Sequence, residues 1–337
     1  MSTDQGIFEW AAGESSRVLP VPVPPAHTPL DSAREALERV HWVASEIDLH
    51  SDRDSLVQLE ARCPGVRRMV QSVLSFFAHF DLLVLAGFED GLGRLADCVE
   101  ARAFYAAQVA QEEVHARAYG LQLLAVLDPA EIASAEAALR GSGAIAAMAA
   151  WARGALAPTA PGGERLVALA LVEGVLFCSS FASLQWLKER NALPGVVALN
   201  EFIARDETLH SAFSCLLVRR YLRAAARPAA TRVHAITREA VAAADAFIDE
   251  ALPAPLPGLT RGELRTYVRA QADFVLGEMG YGALYGAANP FAFMTKLGLN
   301  SVGKTNFFER DVTAYQAPGR ATFTVDLATD YLSDGSE

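Results

Sequence analysis

The sequence predicts an all-α protein, and three observations carry that prediction. Apolar residues recur at helical spacing almost without a break from residue 31 to residue 286, no stretch alternates as a strand would, and proline and glycine mark the interruptions. The spacing places helices at 31–46, 64–90, 97–126, 129–157, 163–190, 195–226, 229–252 and 260–286, the fourth broken at Gly141-Ser142-Gly143. Pro64 suits a first helical position, while Pro194-Gly195 and the run Pro253–Gly258 suit turns between helices. Residues 1–29 carry Pro20, Pro22, Pro24, Pro25 and Pro29 among serines and glycines and read as a flexible arm. Residues 316–337 turn polar and acidic and read as a mobile tail. Between them, 30–315 reads as one helical domain without an internal repeat.

Composition narrows the function. Of 337 residues, 52% are hydrophobic, enough for a large core. With 40 acidic against 29 basic side chains the net charge is −11, which argues against nucleic acid or anionic lipid as a partner, since phosphate needs a basic face. Cys63, Cys98, Cys178 and Cys215 show no paired spacing and suggest neither a zinc site nor a disulfide framework. Leu166–Leu187 is long enough to span a bilayer, but a mid-span Glu173 and the lack of an aromatic belt or basic flank favour a buried core helix. Met1–Arg17 contains acids and no apolar run, so it is not a signal peptide, and a cytoplasmic protein is expected.

The chemistry shows as charge inside apolar helices. Asp81 follows Val73-Leu-Ser-Phe-Phe-Ala-His-Phe80, and Glu173 follows Leu166-Val-Ala-Leu-Ala-Leu-Val172. Burying an unpaired carboxylate costs several kcal/mol or forces protonation, so each needs a partner. Gln111-Glu-Glu-Val-His115 and Asp206-Glu-Thr-Leu-His210 each contain Glu-x-x-His, which puts an oxygen and an imidazole nitrogen on one helix face. One such pair is common by chance. Two pairs plus two buried acids on separate helices make up the ligand set of ferritin-like di-metal carboxylate bundles. The prediction is therefore a ferritin-like di-metal carboxylate helical bundle with extra flanking helices. Oxygen ligands with one imidazole per ion suit iron or manganese better than zinc or copper.

Around these residues the sequence resembles the small subunit of class I ribonucleotide reductase, in its eukaryotic and DNA-virus branch. The resemblance is carried by Glu100-Ala-Arg-Ala-Phe-Tyr105, Val172-Glu-Gly-Val-Leu-Phe177, Ser180-Phe-Ala-Ser-Leu-Gln-Trp-Leu-Lys188, Asn200-Glu-Phe-Ile-Ala-Arg-Asp-Glu-Thr-Leu-His210, Asn289-Pro-Phe-Ala-Phe-Met294 and Gly303-Lys-Thr-Asn-Phe-Phe-Glu309. It runs from about Trp42 to Phe323. It implies Asp81, Glu112, His115, Glu173, Glu207 and His210 as ligands to two iron ions per chain, or manganese, with Glu113 outside the set. It implies Tyr119, one turn beyond His115, as the residue oxidised to a stable radical, in an apolar pocket of Phe177, Phe181 and Ile203. It further implies a relay through Trp42, Asp206 and Tyr315 to a large subunit that reduces ribonucleoside diphosphates, a homodimeric small subunit, and a C-terminal tail that docks on the large one.

The sequence also departs from that pattern. It runs on past Thr322-Phe-Thr-Val-Asp326 to Glu337, has Leu85-Ala-Gly-Phe88 where the family carries a polar run, and has His79 in place of a small residue, read as a core or ligand-supporting histidine. Residues 128–162 match poorly, which bears on dimer contacts. Two other readings fit a ferritin-like frame: a di-metal oxidase or storage protein, and a silent binding or scaffold relative. Tyr119, Trp42, Asp206 and Tyr315 together speak against the first, and six intact ligands against the second.

Overall fold

The computed structural model describes residues 6–10, 17, 19–89, 91, 95 and 97–295, all within one compact unit that spans residues 1–304. Among these residues there is no strand ladder, only two isolated bridges, Phe8 with Leu222 and Leu256 with Leu259. The helices are α1 (Thr28–Arg39), α2 (Asp52–Arg62), α3 (Val66–Glu89), α4 (Val99–Val126), α5 (Pro129–Gly141), α6 (Gly143–Leu156), α7 (Gly162–Leu171), α8 (Cys178–Lys188), α9 (Pro194–Leu216), α10 (Ala230–Ala251), α11 (Arg261–Glu278) and α12 (Ala292–Thr295).

Local chemistry explains the boundaries. At α5, Asp128 accepts from Glu131 N (2.8 Å) while Glu131 reaches back to Asp128 N (2.8 Å), a reciprocal cap with Pro129 at the first helical position. The predicted break between α5 and α6 falls at Ser142, whose hydroxyl accepts from Ile145 N (3.0 Å). Thr260 caps α11 by the same reciprocal device with Glu263. The start of α9 is tighter. Asp52 is buried and accepts from Gly195 N (3.1 Å) and Val196 N (2.6 Å), and a Cβ at Gly195 would lie 2.4 Å from the Asp48 carbonyl. Only glycine fits that approach.

The helices α3, α4, α7–α8 and α9 form the central bundle: α3 packs on α4, and α7 and α8 pack on α9. Helix α1 lies across α4 and α9, and α10 and α11 cover the opposite side against α6, α8 and the segment between α7 and α8. That segment, Val172–Leu176, is a π-helical turn. Such single wide turns recur at functional sites because they re-aim one side chain within an otherwise regular helix. Here the re-aimed turn contains Glu173. Ser211 of α9 donates to the Ala170 carbonyl beside it (3.0 Å), and a Cβ at Gly174 would lie 2.6 Å from Ser211 Oγ. The stretch that met the length test for a membrane span is interior, with 94% of its most apolar part buried in the fold.

Four expectations need correction. The arm predicted for 1–29 is not free throughout: Phe8 is buried, Glu9 N donates to Tyr221 O (2.7 Å), Arg223 N donates to Ile7 O (3.0 Å), and Phe8 stacks on Trp10 with centroids 4.7 Å apart. The prolines dominate the local composition and mask this short anchor. The predicted helix 31–46 ends at Arg39, and the predicted helix 260–286 ends at Glu278. Helix α2 is not expected from the spacing, because nearly half of its residues are charged and only Asp52, Leu56 and Leu59 are buried. His79 is neither core nor beside the ligands; it lines a cleft of about 360 Å³ with Leu82, Leu83, Gly87, Arg153 and Leu156. The expected tail at 316–337 lies outside the described residues.

Candidate metal centre

Each helix of the central bundle delivers part of one buried cluster. Asp81 comes from α3, Glu112 and His115 from α4, Glu173 from the π-helical turn, and Glu207 and His210 from α9. All six are buried. Their donor atoms fall into two groups, each within 4.8 Å: Asp81, Glu112 and His115, and Glu112, Glu173, Glu207 and His210. Glu112 belongs to both, so the groups adjoin. Glu113, next to it, is exposed.

The histidines are oriented by their outer nitrogens. His115 Nε2 donates to Asp206 Oδ2 (3.3 Å), and His210 Nε2 donates to Gln111 Oε1 (2.9 Å). The inner Nδ1 atoms face the carboxylates: His115 Nδ1 lies 3.0 Å from Glu207 Oε1, and His210 Nδ1 lies 3.0 Å from Glu112 Oε1. Neither Nδ1 has an aligned hydrogen bond, and both oxygens of Asp81, both of Glu207, Glu112 Oε2 and Glu173 Oε2 also lack one. Fixing the proton on the outer nitrogen leaves the inner lone pair for a cation.

The electrostatics agree. Burial, followed by the charges of Glu112 and Glu207, raises the Asp81 carboxyl well above its ordinary range. Burial with Glu207 and Glu112 does the same to Glu173. Glu207 moves the other way: burial alone would raise it, but contacts with Glu173, His115 and His210 hold it low. Burial would lower His210, yet Glu112 and Glu207 push it up to about 9, and Asp206, Glu112 and Glu207 likewise raise His115. Four carboxylates sharing one dry site with unsatisfied oxygens are an arrangement that two divalent cations neutralise. The donor set fits such ions.

Tyr119 lies one turn beyond His115, fully buried, with no hydrogen bond to its hydroxyl. Its ring stacks on Phe77 at 4.6 Å and 5°, and Phe77 in turn meets Phe181 (4.7 Å) and Phe177 (5.6 Å). Ile203 is buried on α9, one turn before Glu207. Trp42 sits just past α1, buried, and donates to Asp206 Oδ2 (2.7 Å) with its ring 5.9 Å from that of His115. Arg205 completes this group through Asp206 Oδ1 (3.1 and 3.0 Å). Tyr315 lies outside the described residues, as does the motif at 303–309.

Sequence reasoning missed three contributors. Phe77 is one turn before Asp81 on α3 and is the direct stacking partner of Tyr119. Gln108 is one turn before Glu112, and its amide donates to Glu112 Oε1 (3.3 Å) and Glu173 Oε1 (3.1 Å). Gln111 is one turn before His115. The signal for each was the four-residue step from an assigned ligand.

The family model for "Ribonucleotide reductase, small chain" matches residues 23–290. The sequence is 38% identical to a ribonucleoside-diphosphate reductase small chain of Nicotiana tabacum over 276 residues, which make up 82% of either protein. It is 36% identical to the human ribonucleoside-diphosphate reductase subunit M2, with 86% and 74% covered, and 37% identical to the small chain of African swine fever virus, with 83% and 86% covered. Among solved structures, the Rnr4 homodimer of Saccharomyces cerevisiae matches with TM-score 0.72 at 25% identity over 84% of this chain and 89% of that one. The dimanganese(II)-NrdF of Streptococcus sanguinis shares the fold, with TM-score 0.71 at 17% identity over 84% and 99%. On this evidence the chain belongs to the ribonucleotide reductase small-chain family.

Proposed function

We propose that this chain is the radical-generating small subunit of a class I ribonucleotide reductase, and that Tyr119 carries the radical. The observation that carries the reading is a buried, unbonded tyrosine one turn from a ligand histidine and stacked in an aromatic pocket. One ion would be held by Asp81, Glu112 and His115, and the other by Glu112, Glu173, Glu207 and His210. Two iron ions bound there would supply, with oxygen, the oxidising equivalent.

The protein's own part is to govern where that equivalent goes. Burial, before any neighbouring charge, raises the Tyr119 phenol well above its ordinary value, so its oxidation to a neutral radical releases a proton as well as an electron. Phe77, Phe177, Phe181 and Ile203 keep water and reductants away from the phenoxyl. Asp206 joins His115 to Trp42, a connected route out of the site, and we assign Tyr315 to its far end. The large subunit is the proposed partner, docked through 316–337, with the small subunit a homodimer in the cytoplasm.

The test is electron paramagnetic resonance after loading with ferrous iron and exposure to oxygen. The wild type should develop an organic radical, and Tyr119→Phe should take up the same iron and develop none. A radical that survives in Tyr119→Phe would move the assignment, with Tyr105 next to be tried.

A further inference from the structure

The two ligand histidines are supported by different chemistry, and both supports end on the same helix terminus. Helix α1 stops at Arg39, which leaves carbonyls of its last turn without helical partners. One of these, Leu37 O, accepts from Gln111 Nε2 (3.4 Å). That contact decides which way the Gln111 amide faces: nitrogen towards α1, oxygen towards His210 Nε2 (2.9 Å). The Val40 carbonyl, at the cap of α1, accepts from Arg205 Nη2 (2.7 Å), and Arg205 in turn holds Asp206, the acceptor for His115. A carboxylate thus supports His115, while a neutral amide, buried and set by a backbone carbonyl, supports His210.

We propose that Gln111 is the positioning residue for the His210 metal position, and that the end of α1 sets the tautomer and ring angle of His210 through it. The proposal rests on the functional reading above and adds a residue to it. Gln111 touches no proposed metal ion. It acts by keeping the proton on His210 Nε2, so that the Nδ1 lone pair points at Glu112 and Glu207 (3.0 and 3.4 Å). Removing a partner of this kind lowers metal affinity by roughly ten- to a hundredfold in comparable sites. The effect should be local, because His115 has its own acceptor.

The experiment titrates the metal-free full chain with manganese(II) and follows it by paramagnetic resonance, which distinguishes a coupled pair from an isolated ion. Wild type should bind two ions as a coupled pair; if it binds none or one, the functional reading fails before Gln111 is tested. Gln111→Met removes the acceptor at nearly constant volume, and should bind one ion as wild type does and the second at least about tenfold more weakly, giving an isolated-ion signal at low loading. Gln111→Glu restores an oxygen acceptor of the kind His115 has, although its second oxygen then faces the Leu37 carbonyl in place of the amide N–H, and should bind the second ion more tightly than Gln111→Met does. Thermal midpoints of the metal-free variants close to wild type would show that the fold is unchanged. If Gln111→Met binds both ions as wild type does, or if Gln111→Glu is as weak as Gln111→Met, the proposal is overturned. Equal loss of both ions with a lowered midpoint would also overturn it, by making the role structural.

Discussion

Helix α4 buries two glutamates about three turns apart, Glu100 and Glu112, and their surroundings are opposite. Glu100 has its partners supplied by the protein: the Arg17 guanidinium lies 2.6 Å from Oε1 and His27 Nδ1 lies 3.1 Å from Oε2. Burial would raise its carboxyl, but Arg17, its own backbone N–H and His27 together hold it below the ordinary range. Around Glu112 no arginine or lysine contacts the four carboxylates among the described residues. Asp81 and Glu173 are raised instead, and six carboxylate oxygens across the cluster lack hydrogen bonds. The difference separates two uses of a buried acid. One is ion-paired with an arginine of the protein and ties residues 17 and 27 to α4; the other is completed by ions from solution.

Removing each kind of acid should break that comparison most visibly. Glu100→Ala removes the buried carboxylate that Arg17 and His27 meet and should destabilise the fold by about 3–5 kcal/mol, as loss of one partner of a buried pair does, with metal content per folded chain unchanged. Asp81→Asn removes an acid whose ionisation the metal-free fold penalises, so it should raise the thermal midpoint of the metal-free protein while weakening metal binding. Denaturant melts paired with metal analysis check both. A metal-free Asp81→Asn protein less stable than wild type would mean that the site carboxylates are already balanced by the protein.

The pH dependence sharpens the same contrast with a smaller effect. His210 is raised from 6.5 to about 9, so in the metal-free protein its contribution is fully present below pH 6.5 and is lost as pH rises through about 9, and His115, also raised, acts in the same direction. Asp81 and Glu173 are acids raised by folding, so their ionisation also costs stability as pH rises. All four push one way, whereas Glu100, held low, loses its contribution only as pH falls below the carboxylate range. Thermal melts should show the metal-free protein weakening from pH 6.5 to 9 and the loaded protein changing much less, because metal binding displaces those protons. Parallel loss in both forms would contradict the comparison.

How much of this was legible depended on whether a residue's role is set within its own helix. Glu112 with His115 and Glu207 with His210 are written in one-turn steps, and Asp81 and Glu173 stand out against apolar runs. Gln111 and Gln108 do not stand out, since a glutamine on a helix reads as surface until the facing helix is known. The π-helical turn at Val172–Leu176 is invisible for a related reason: one extra residue per turn does not disturb an apolar run. Helix α2 hides behind its charges, although its first residue, Asp52, caps α9. The spacing puts Trp42 inside a helix, whereas the end of α1 at Arg39 is what frees the backbone to turn the indole towards Asp206.

The central claim is that the unpaired carboxylates belong to two metal ions that share Glu112. The most direct measurement is elemental analysis of metal bound per chain after loading with ferrous iron without oxygen and removal of free metal, for wild type beside Glu112→Ala. The account predicts two ions per wild-type chain and, because Glu112 belongs to both ligand groups, loss of both in Glu112→Ala. A Glu112→Ala protein that keeps both ions, or a folded wild type that binds none, would contradict it.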